Sequence, residues 1–487
     1  MRIIGNNPAA DNAEITAVAS GTLPNGKPVI VNSDGTVSVV AETAISQALG
    51  SAVVFESAAL GVNAEGTATV YDASTNKVVI AYADGGNSSY GTAVVGTVSG
   101  TSISFGTPVV FLSSQPMYIA GTYDSTAGKV VFAFRDQASA GYSTAIVGTV
   151  SGTSISFGAK GTAYNPYVEE VSVVYSPAAN KVVMAYRDNN SSGYGASIVG
   201  TISGTNISFG GVSNFESAAT MWTSMTYDSA SEKIVIAYQG AAGASAKAKV
   251  GTIGATMSWG AQTVFDNSSN VIGIRTTADS TNGKVVIGYA DAGNSYYGTV
   301  IIGTVSGTSI SFGTPVVFSA VNTRLGSLSY DSDANKISVA YYVTSNNYGK
   351  LITGTVSGTS ITFDSVVSLS DGSTSYISSA FDSGSNRVVI AWPNGSNSNY
   401  GTARVLRNAS TVPNLTAENY IGFANGAAAD TGTARVQIGS GINTAQSSLT
   451  AGQQYFVQTD GTLGLTAADP SVIAGTAISA TEIIVKG

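Results

Sequence analysis

The chain contains no cysteine and no histidine. Without Cys there are no disulfides and no thiol chemistry. Without His the commonest general base and metal ligand is also missing. Charge is scarce as well: Asp, Glu, Lys and Arg make up 10% of the 487 residues, against roughly 25% in an average soluble domain. The net charge of −8 is mild and no basic cluster stands out, which excludes the electrostatic footprint of a nucleic-acid binder. No apolar run approaches the roughly 20 residues of a membrane span. The opening Met1-Arg-Ile-Ile-Gly-Asn-Asn-Pro8 has no apolar core of a secretory signal. These absences lead us to expect no nucleic-acid partner, no membrane insertion, no cofactor, no metal and no signal peptide.

What is abundant is β-forming and turn-forming material. Hydrophobic residues are 43% of the chain, with 57 Gly, 24 Tyr and 15 Phe, ample for a packed core and unlike a disordered composition. One stretch, Gly96-Thr-Val-Ser-Gly-Thr-Ser-Ile-Ser-Phe-Gly106, is rewritten at Gly148, Gly200, Gly251, Gly303 and Gly354, at intervals of 52, 52, 51, 52 and 51 residues. Such a period means one supersecondary unit used many times. A second motif recurs with it: Lys77-Val-Val-Ile-Ala-Tyr82 returns from Lys129, Lys181, Lys233, Lys284, Lys336 and Arg387, seven copies in all. Each unit reads as four short strands joined by turns bearing Gly or Asp, an antiparallel meander. The near-continuous apolar second strand suggests burial on both faces, as when sheets stack.

The expected fold is therefore all-β: a seven-bladed β-propeller of four-stranded antiparallel blades. The seventh unit stops after its third strand, Thr402-Ala-Arg-Val-Leu-Arg407, and the missing strand is found at the other end, in Ala44–Phe55. A closed ring explains that permutation, because an N-terminal strand then completes the last blade and removes exposed edges. Residues 1–43 form an N-terminal β segment, with Asn25-Gly26 and Asp34-Gly35 as hairpin turns; Ala41–Leu49 alone admits a short helix. Residues 44–410 are the propeller. Residues 411–487 form a C-terminal β domain, and the N- and C-terminal segments are expected to pair in one small β-domain, since Gln454-Tyr-Phe-Val-Gln-Thr-Asp-Gly-Thr-Leu463 resembles Lys27-Pro-Val-Ile-Val-Asn-Ser-Asp-Gly-Thr-Val37.

Three C-terminal stretches, Ala417–Ala424, Ser448–Leu463 and Pro470–Lys486, resemble the repeated terminal modules of bacteriophage tail-fibre and virion-surface proteins, marine phages above all. The Gly-Thr-Val-Ser-Gly-Thr repeat is similar to repeats in such proteins. The resemblance implies a structural virion component, made in the host cytoplasm and displayed on the virion surface. Its partners would be other virion proteins of capsid or tail, with host-surface glycan or protein as a further contact. It implies no catalytic residue. Capsid against tail, and whether the chain forms a homo-oligomer, stay open.

Positions that recur serve the fold, whereas those that drift are free to serve a ligand, although neutral drift explains the same pattern. The loop between second and third strands repeats a tyrosine: Tyr90, Tyr142, Tyr194, Tyr297, Tyr348 and Tyr400. These are a ring of glycan-stacking aromatics or, as we favour, packing between blades. The blade-to-blade connections share almost nothing, and Met117, Tyr118, Tyr164, Tyr167 and Trp222 are their large side chains and the binding candidates. Propellers also host glycosidases, so the carboxylates Glu56, Glu65, Glu169, Glu170 and Glu216 in these connections are weighed as acid–base pairs. No sialidase-type Ser-x-Asp-x-Gly-x-x-Trp box and no Arg cluster accompanies them, so catalysis is the minor reading. The Asp of Tyr-Asp-Ser is a turn-former opposite Lys or Arg, since no Asp-x-Asp-x-Asp-Gly calcium spacing is present.

Overall fold

The computed structural model describes residues 13–61, 66–164, 167–241, 245–268 and 270–486, without the side chain of Tyr164. It divides into two compact units: one of residues 47–408, the other assembled from residues 1–46 and 409–487. Among the described residues there is no α-helix, only strands and single 3-10 turns.

In the larger unit the second repeat illustrates the pattern. Pro116–Asp124, Lys129–Asp136, Tyr142–Ser151 and Ser154–Phe157 pair in that order, all antiparallel. The fourth strand is not continuous as the sequence suggested. Ser154–Phe157 and Gly161–Tyr164 are separate pieces, each paired to the third strand. Only in the next repeat does one strand, Asn206–Ala219, run the whole way, with three register shifts. The connection at residues 319–326 is strand throughout: Val316–Asp331 serves as the outer strand of one repeat and the first of the next.

Local chemistry explains the recurring residues. Asp124 is buried and accepts from the backbone N–H of Thr126 and Ala127, both at 2.9 Å, closing the turn between first and second strands. The lysine it faces in register, Lys129, bonds elsewhere: its Nζ donates to Thr149 Oγ1 at 2.9 Å, and Lys181 and Lys284 do the same to Thr201 and Thr304. The threonine of Gly-Thr-Val-Ser is thus tied to the lysine of the second strand. Gly100 and Gly152 turn the outer hairpin at φ 61° and 60°, a backbone region that glycine adopts without a Cβ penalty.

Packing repeats with the same period. The aromatic of each second-strand motif is fully buried, and a phenylalanine of the outer strand meets it: Phe215–Tyr238 and Phe318–Tyr341 at 5.1 Å, Phe265–Tyr289 at 5.4 Å. Such pairs add about 0.5–1.5 kcal/mol beyond burial of their area. Where a tyrosine stands next to last in the first strand, its hydroxyl can reach the neighbouring repeat. Tyr175 Oη donates to Thr126 Oγ1 at 2.6 Å, and Tyr330 Oη to Thr281 Oγ1 at 2.6 Å.

The first strands neighbour one another in chain order, and the last returns to the first. Thr69 Oγ1 and Thr67 Oγ1 lie 2.7 and 2.8 Å from Ser378 Oγ, and Gly384 N donates to Tyr71 Oη at 2.9 Å. Ala48–Leu49 and Val53–Ala59 both pair with Tyr400–Arg407, the last third strand. No helix forms over Ala41–Leu49. Glu42–Ile45 pairs with Ser410–Pro413, and these ladder bonds override a weak helical propensity.

The smaller unit holds two five-stranded sheets. One runs Glu14–Val18, Thr433–Gln437, Tyr420–Ala424, Pro28–Val31, Val37–Val39; the other Ile442–Asn443, Ile483–Val485, Val472–Ala477, Gln454–Val457, Leu463–Gly464. The first therefore combines N- and C-terminal segments. It buries Val29, Val37, Ala424 and Val436 on one face, and Ile30 and Phe423 on the other against Tyr455, Val457 and Ile483 of the second sheet.

Candidate functional site

The start of each first strand, the turn after each second strand and the end of each outer strand fall on one rim of the larger unit. Pro116 faces Asp136, Asp136 faces Tyr142, and Ser143 faces Tyr164. On this rim the first strand carries a bulge: register shifts between Met117 and Ala120, Glu169 and Ser172, Met221 and Ser224, Ile272 and Arg275. The bulge holds one residue at positive φ. There it is Tyr118 (52°), Glu170 (53°), Trp222 (55°) or the glycine Gly273 (65°), and the matching positions Gly66 and Tyr376 (46°), just ahead of their first strands, are also at positive φ. A large side chain there costs of order 1–2 kcal/mol, and strain of this kind gathers at functional sites.

Around these bulges the side chains converge. Arg135 is 3% exposed, with its guanidinium carbon 5.0 Å from the Tyr118 ring centre and 4.6 Å from that of Tyr167. Its Nη1 donates to Tyr167 Oη at 2.8 Å, and its Nη2 to Met117 Sδ. Glu169 lies 3.6 Å from both Arg135 and Arg187, bridging them. Glu170 accepts from the backbone N–H of Thr223 at 3.2 Å, which ties its bulge to that of Trp222. Burial pushes the Glu170 carboxyl up to about 7, against the lowering effect of that N–H and of Arg187. Tyr167 is 38% exposed, so a ring held by the buried Arg135 faces solvent. Farther round the rim, Arg324 lies over Tyr296 at 5.5 Å and Arg275 Nε donates to Gly326 O at 2.7 Å.

The candidates Met117, Tyr118 and Tyr167 thus come together on Arg135, and Trp222 joins through Glu170. Tyr164 lies at the end of a strand, and its side chain is outside the described residues, as is Glu65. Tyr90, Tyr142, Tyr194, Tyr297, Tyr348 and Tyr400 do not join the cluster. Each opens a third strand, opposite the last residue of the second. Five are half-buried, and Tyr348 is 39% exposed. Two of the weighed carboxylates are engaged in the sheets: Glu56 accepts from Tyr82 Oη and Glu216 from Tyr238 Oη, both at 3.0 Å.

Sequence reasoning missed Arg135 and Arg187. Their signal lay one residue past the Lys-Val-Val-x-Ala-aromatic motif, where Ala83, Arg135, Arg187, Gln239, Ala290, Tyr342 and Pro393 stand. That position varies directly after a motif that barely does, and its side chain pairs across to the drifting start of the first strand. Among the described residues no group of carboxylates could hold a metal ion. At the opposite rim a cavity of about 380 Å³ is lined by Thr226, Tyr175, Tyr227, Ser329, Tyr330 and Phe381. The hydroxyls of Tyr175 and Tyr330 are spent on neighbouring turns.

No protein-family model matches the chain, and no curated protein sequence does. Solved structures do resemble it. The BP39L lectin from Burkholderia pseudomallei shares 10% identity at a TM-score of 0.55, over 73% of this chain and 98% of its own. The Cps50 (Swd1) β-propeller domain from Myceliophteria thermophila shares 8% at a TM-score of 0.49, over 74% and 99%. At these identities the likeness speaks for the fold alone: the chain is an all-β protein of β-propeller type.

Proposed function

We propose that the chain is a non-enzymatic virion-surface protein, of tail fibre or capsid, whose propeller head binds a host-surface glycan. In this reading the head has seven four-stranded blades, the last completed by the N-terminal strand. The terminal segments form a small β-domain that joins other virion proteins. The adhesion half rests on one observation: Tyr118, Tyr167 and Trp222 are held on one rim by buried Arg135 and the Glu169–Glu170 pair, with Tyr118 and Trp222 at positive-φ positions where other repeats use glycine. Aromatic faces framed by fixed polar groups are what a saccharide ring requires. The virion half rests on the resemblance of the terminal segments.

Glycan-array and host-cell binding with the purified chain tests the first half. Binding should be present, and Tyr167→Ala should weaken it tenfold or more, the loss of about 1.4 kcal/mol expected of one central aromatic contact. Absence of binding to any host cell would remove the adhesive role. Imaging of the parent particle with antibody against the chain tests the second half.

One observation favours a second reading, hydrolysis of the bound glycan. A carboxyl pushed up to about 7, as Glu170 is, is poised as a general acid. Turnover of host polysaccharide that vanishes in Glu170→Gln would carry that reading, and inactivity across a polysaccharide panel would end it.

A further inference from the structure

The two sheets of the smaller unit are copies of one module. Read in sheet order, the strands of the first take chain positions outer strand, second of a hairpin, first of that hairpin, then the Asp-Gly-Thr hairpin, and the second sheet has the same order. The details coincide. Asp34 accepts from Thr36 N and Oγ1 at 2.9 and 2.6 Å, and Asp460 from Thr462 N and Oγ1 at 2.9 and 2.6 Å. Gly422 and Gly475 sit at φ 147° and 156° beside a register shift, each facing Val29 or Tyr455 of its hairpin. A Cβ on either would strike the carbonyl oxygen of Gln437 or of Ile484. The larger unit, residues 47–408, is thus inserted in the first module between its two hairpins, whereas the second module is continuous.

That equivalence identifies a surface. The first sheet is used on both faces, and its second face, with Ile30, Tyr420 and Phe423, covers the core face of the second sheet. Tyr420 Oη reaches Ala474 O at 3.5 Å across that junction. In the second sheet the register places Phe456, Ile473 and Thr476 at the positions of Ile30, Tyr420 and Phe423. Ile484 takes the position of Gln437, which is 1% exposed, yet Ile484 is 40% exposed and its pairing neighbour Ile442 38%. The face that is covered in the first copy is therefore exposed in the second at Ile484 and Ile442, with Phe456 and Ile473 half-buried beside them. Because the contact is head-to-tail rather than two-fold, it repeats without closing.

We infer that the outer face of the second sheet, around Phe456, Ile473 and Ile484, is a docking face for the uncovered core face of another module of this same fold, stacked as the second sheet is on the first. The partner is a polypeptide that carries such a module. This inference is independent of the glycan reading of the larger unit.

The test appends a second copy of residues 439–487 after Gly487 of the full chain. Since the chain has no cysteine, a single Ile484→Cys in the resident module reports by its rate of maleimide labelling. Docking should slow labelling at least tenfold relative to the unextended Ile484→Cys chain, and Phe456→Lys in the resident module should restore the rate. An unchanged rate overturns the inference. So does an appended segment that stays protease-sensitive, because the same sequence folds in place against the equivalent face. A rate that falls with concentration in the unextended chain overturns the assigned partner, since it shows a second copy seated there.

Discussion

Phe55 is the residue on which closure of the larger unit can be measured. It lies on Val53–Ala59, which pairs with the last third strand, yet its ring packs 5.2 Å from Tyr82 and 5.6 Å from Phe105 of the first repeat. It is 7% exposed, and Gly401 has no room for a Cβ because the Phe55 ring fills that space. Phe55→Ala should cost about 3–5 kcal/mol, the usual range for a buried phenylalanine whose site cannot collapse. Val54, on the same strand but 43% exposed, supplies the control, with a cost below about 0.5 kcal/mol for Val54→Ala. With a urea slope of about 3 kcal/mol/M for a unit of this size, Phe55→Ala should lower the midpoint by about 1–1.7 M. Equilibrium unfolding followed by circular dichroism and tyrosine fluorescence reads the shift. Phe111→Ala, the matching change inside the chain, packed on Phe132, Phe134 and Phe157, should give a similar value. If Phe111→Ala shifts the midpoint and Phe55→Ala moves it no more than Val54→Ala, the N-terminal strand is not seated between the last and first repeats, and the reasoning fails.

Three further outcomes follow from the rim. Trp222→Gly relieves about 1–2 kcal/mol of backbone strain and forfeits a comparable amount from a half-buried indole, so the melting temperature should hardly move while glycan binding drops; a large loss of stability with binding intact would show the indole to be purely structural. Glu170 has its folded pKa raised to about 7, so the folded chain binds more protons than the unfolded one between roughly pH 4.5 and 7. Stability from this group is therefore greatest below that window and is lost as pH rises through it. Glu170→Gln should flatten that fall by of order 1 kcal/mol per pH unit at most, read as the difference between the two chains' unfolding curves from pH 4 to 8. Arg135→Lys removes the planar fork held between Tyr118 and Tyr167 and should cost about 1–3 kcal/mol; an unchanged unfolding midpoint would mean the guanidinium does not organise the rim.

Much of the fold was legible because its causes are local and repeated. A glycine at positive φ in most outer hairpins, an aspartate closing most inner turns and a run of apolar residues between them act within a few residues of themselves. Seven copies make the pattern unmistakable. Even the pairing of Ala48–Leu49 and Val53–Ala59 with Tyr400–Arg407 could be read from a strand absent at one end and present at the other. The details that failed were those in which neighbouring strands compete. Ala41–Leu49 became strand because ladders on Ser410–Pro413 and Tyr400–Arg407 claimed it, and most outer strands broke into two pieces that each pair with the third strand.

The site was legible only in outline. Drift marked Met117, Tyr118, Tyr167 and Trp222, but drift carries no distances. Arg135 meets Tyr118 from its own repeat and Tyr167 from the next, and Glu169 reaches back to it across the same seam. Which side chains meet there depends on how adjacent sheets abut, a property of the whole circuit and of none of its segments. The same holds for the smaller unit, where the Asp-Gly-Thr hairpins betray a likeness but only the sheet order reveals a module divided by an insertion. The sequence by itself determined the repeat and its turns, since those are set by backbone geometry and short-range hydrogen bonds. The tertiary structure decided which variable residues share a surface, because contacts between repeats are fixed by packing across tens of residues.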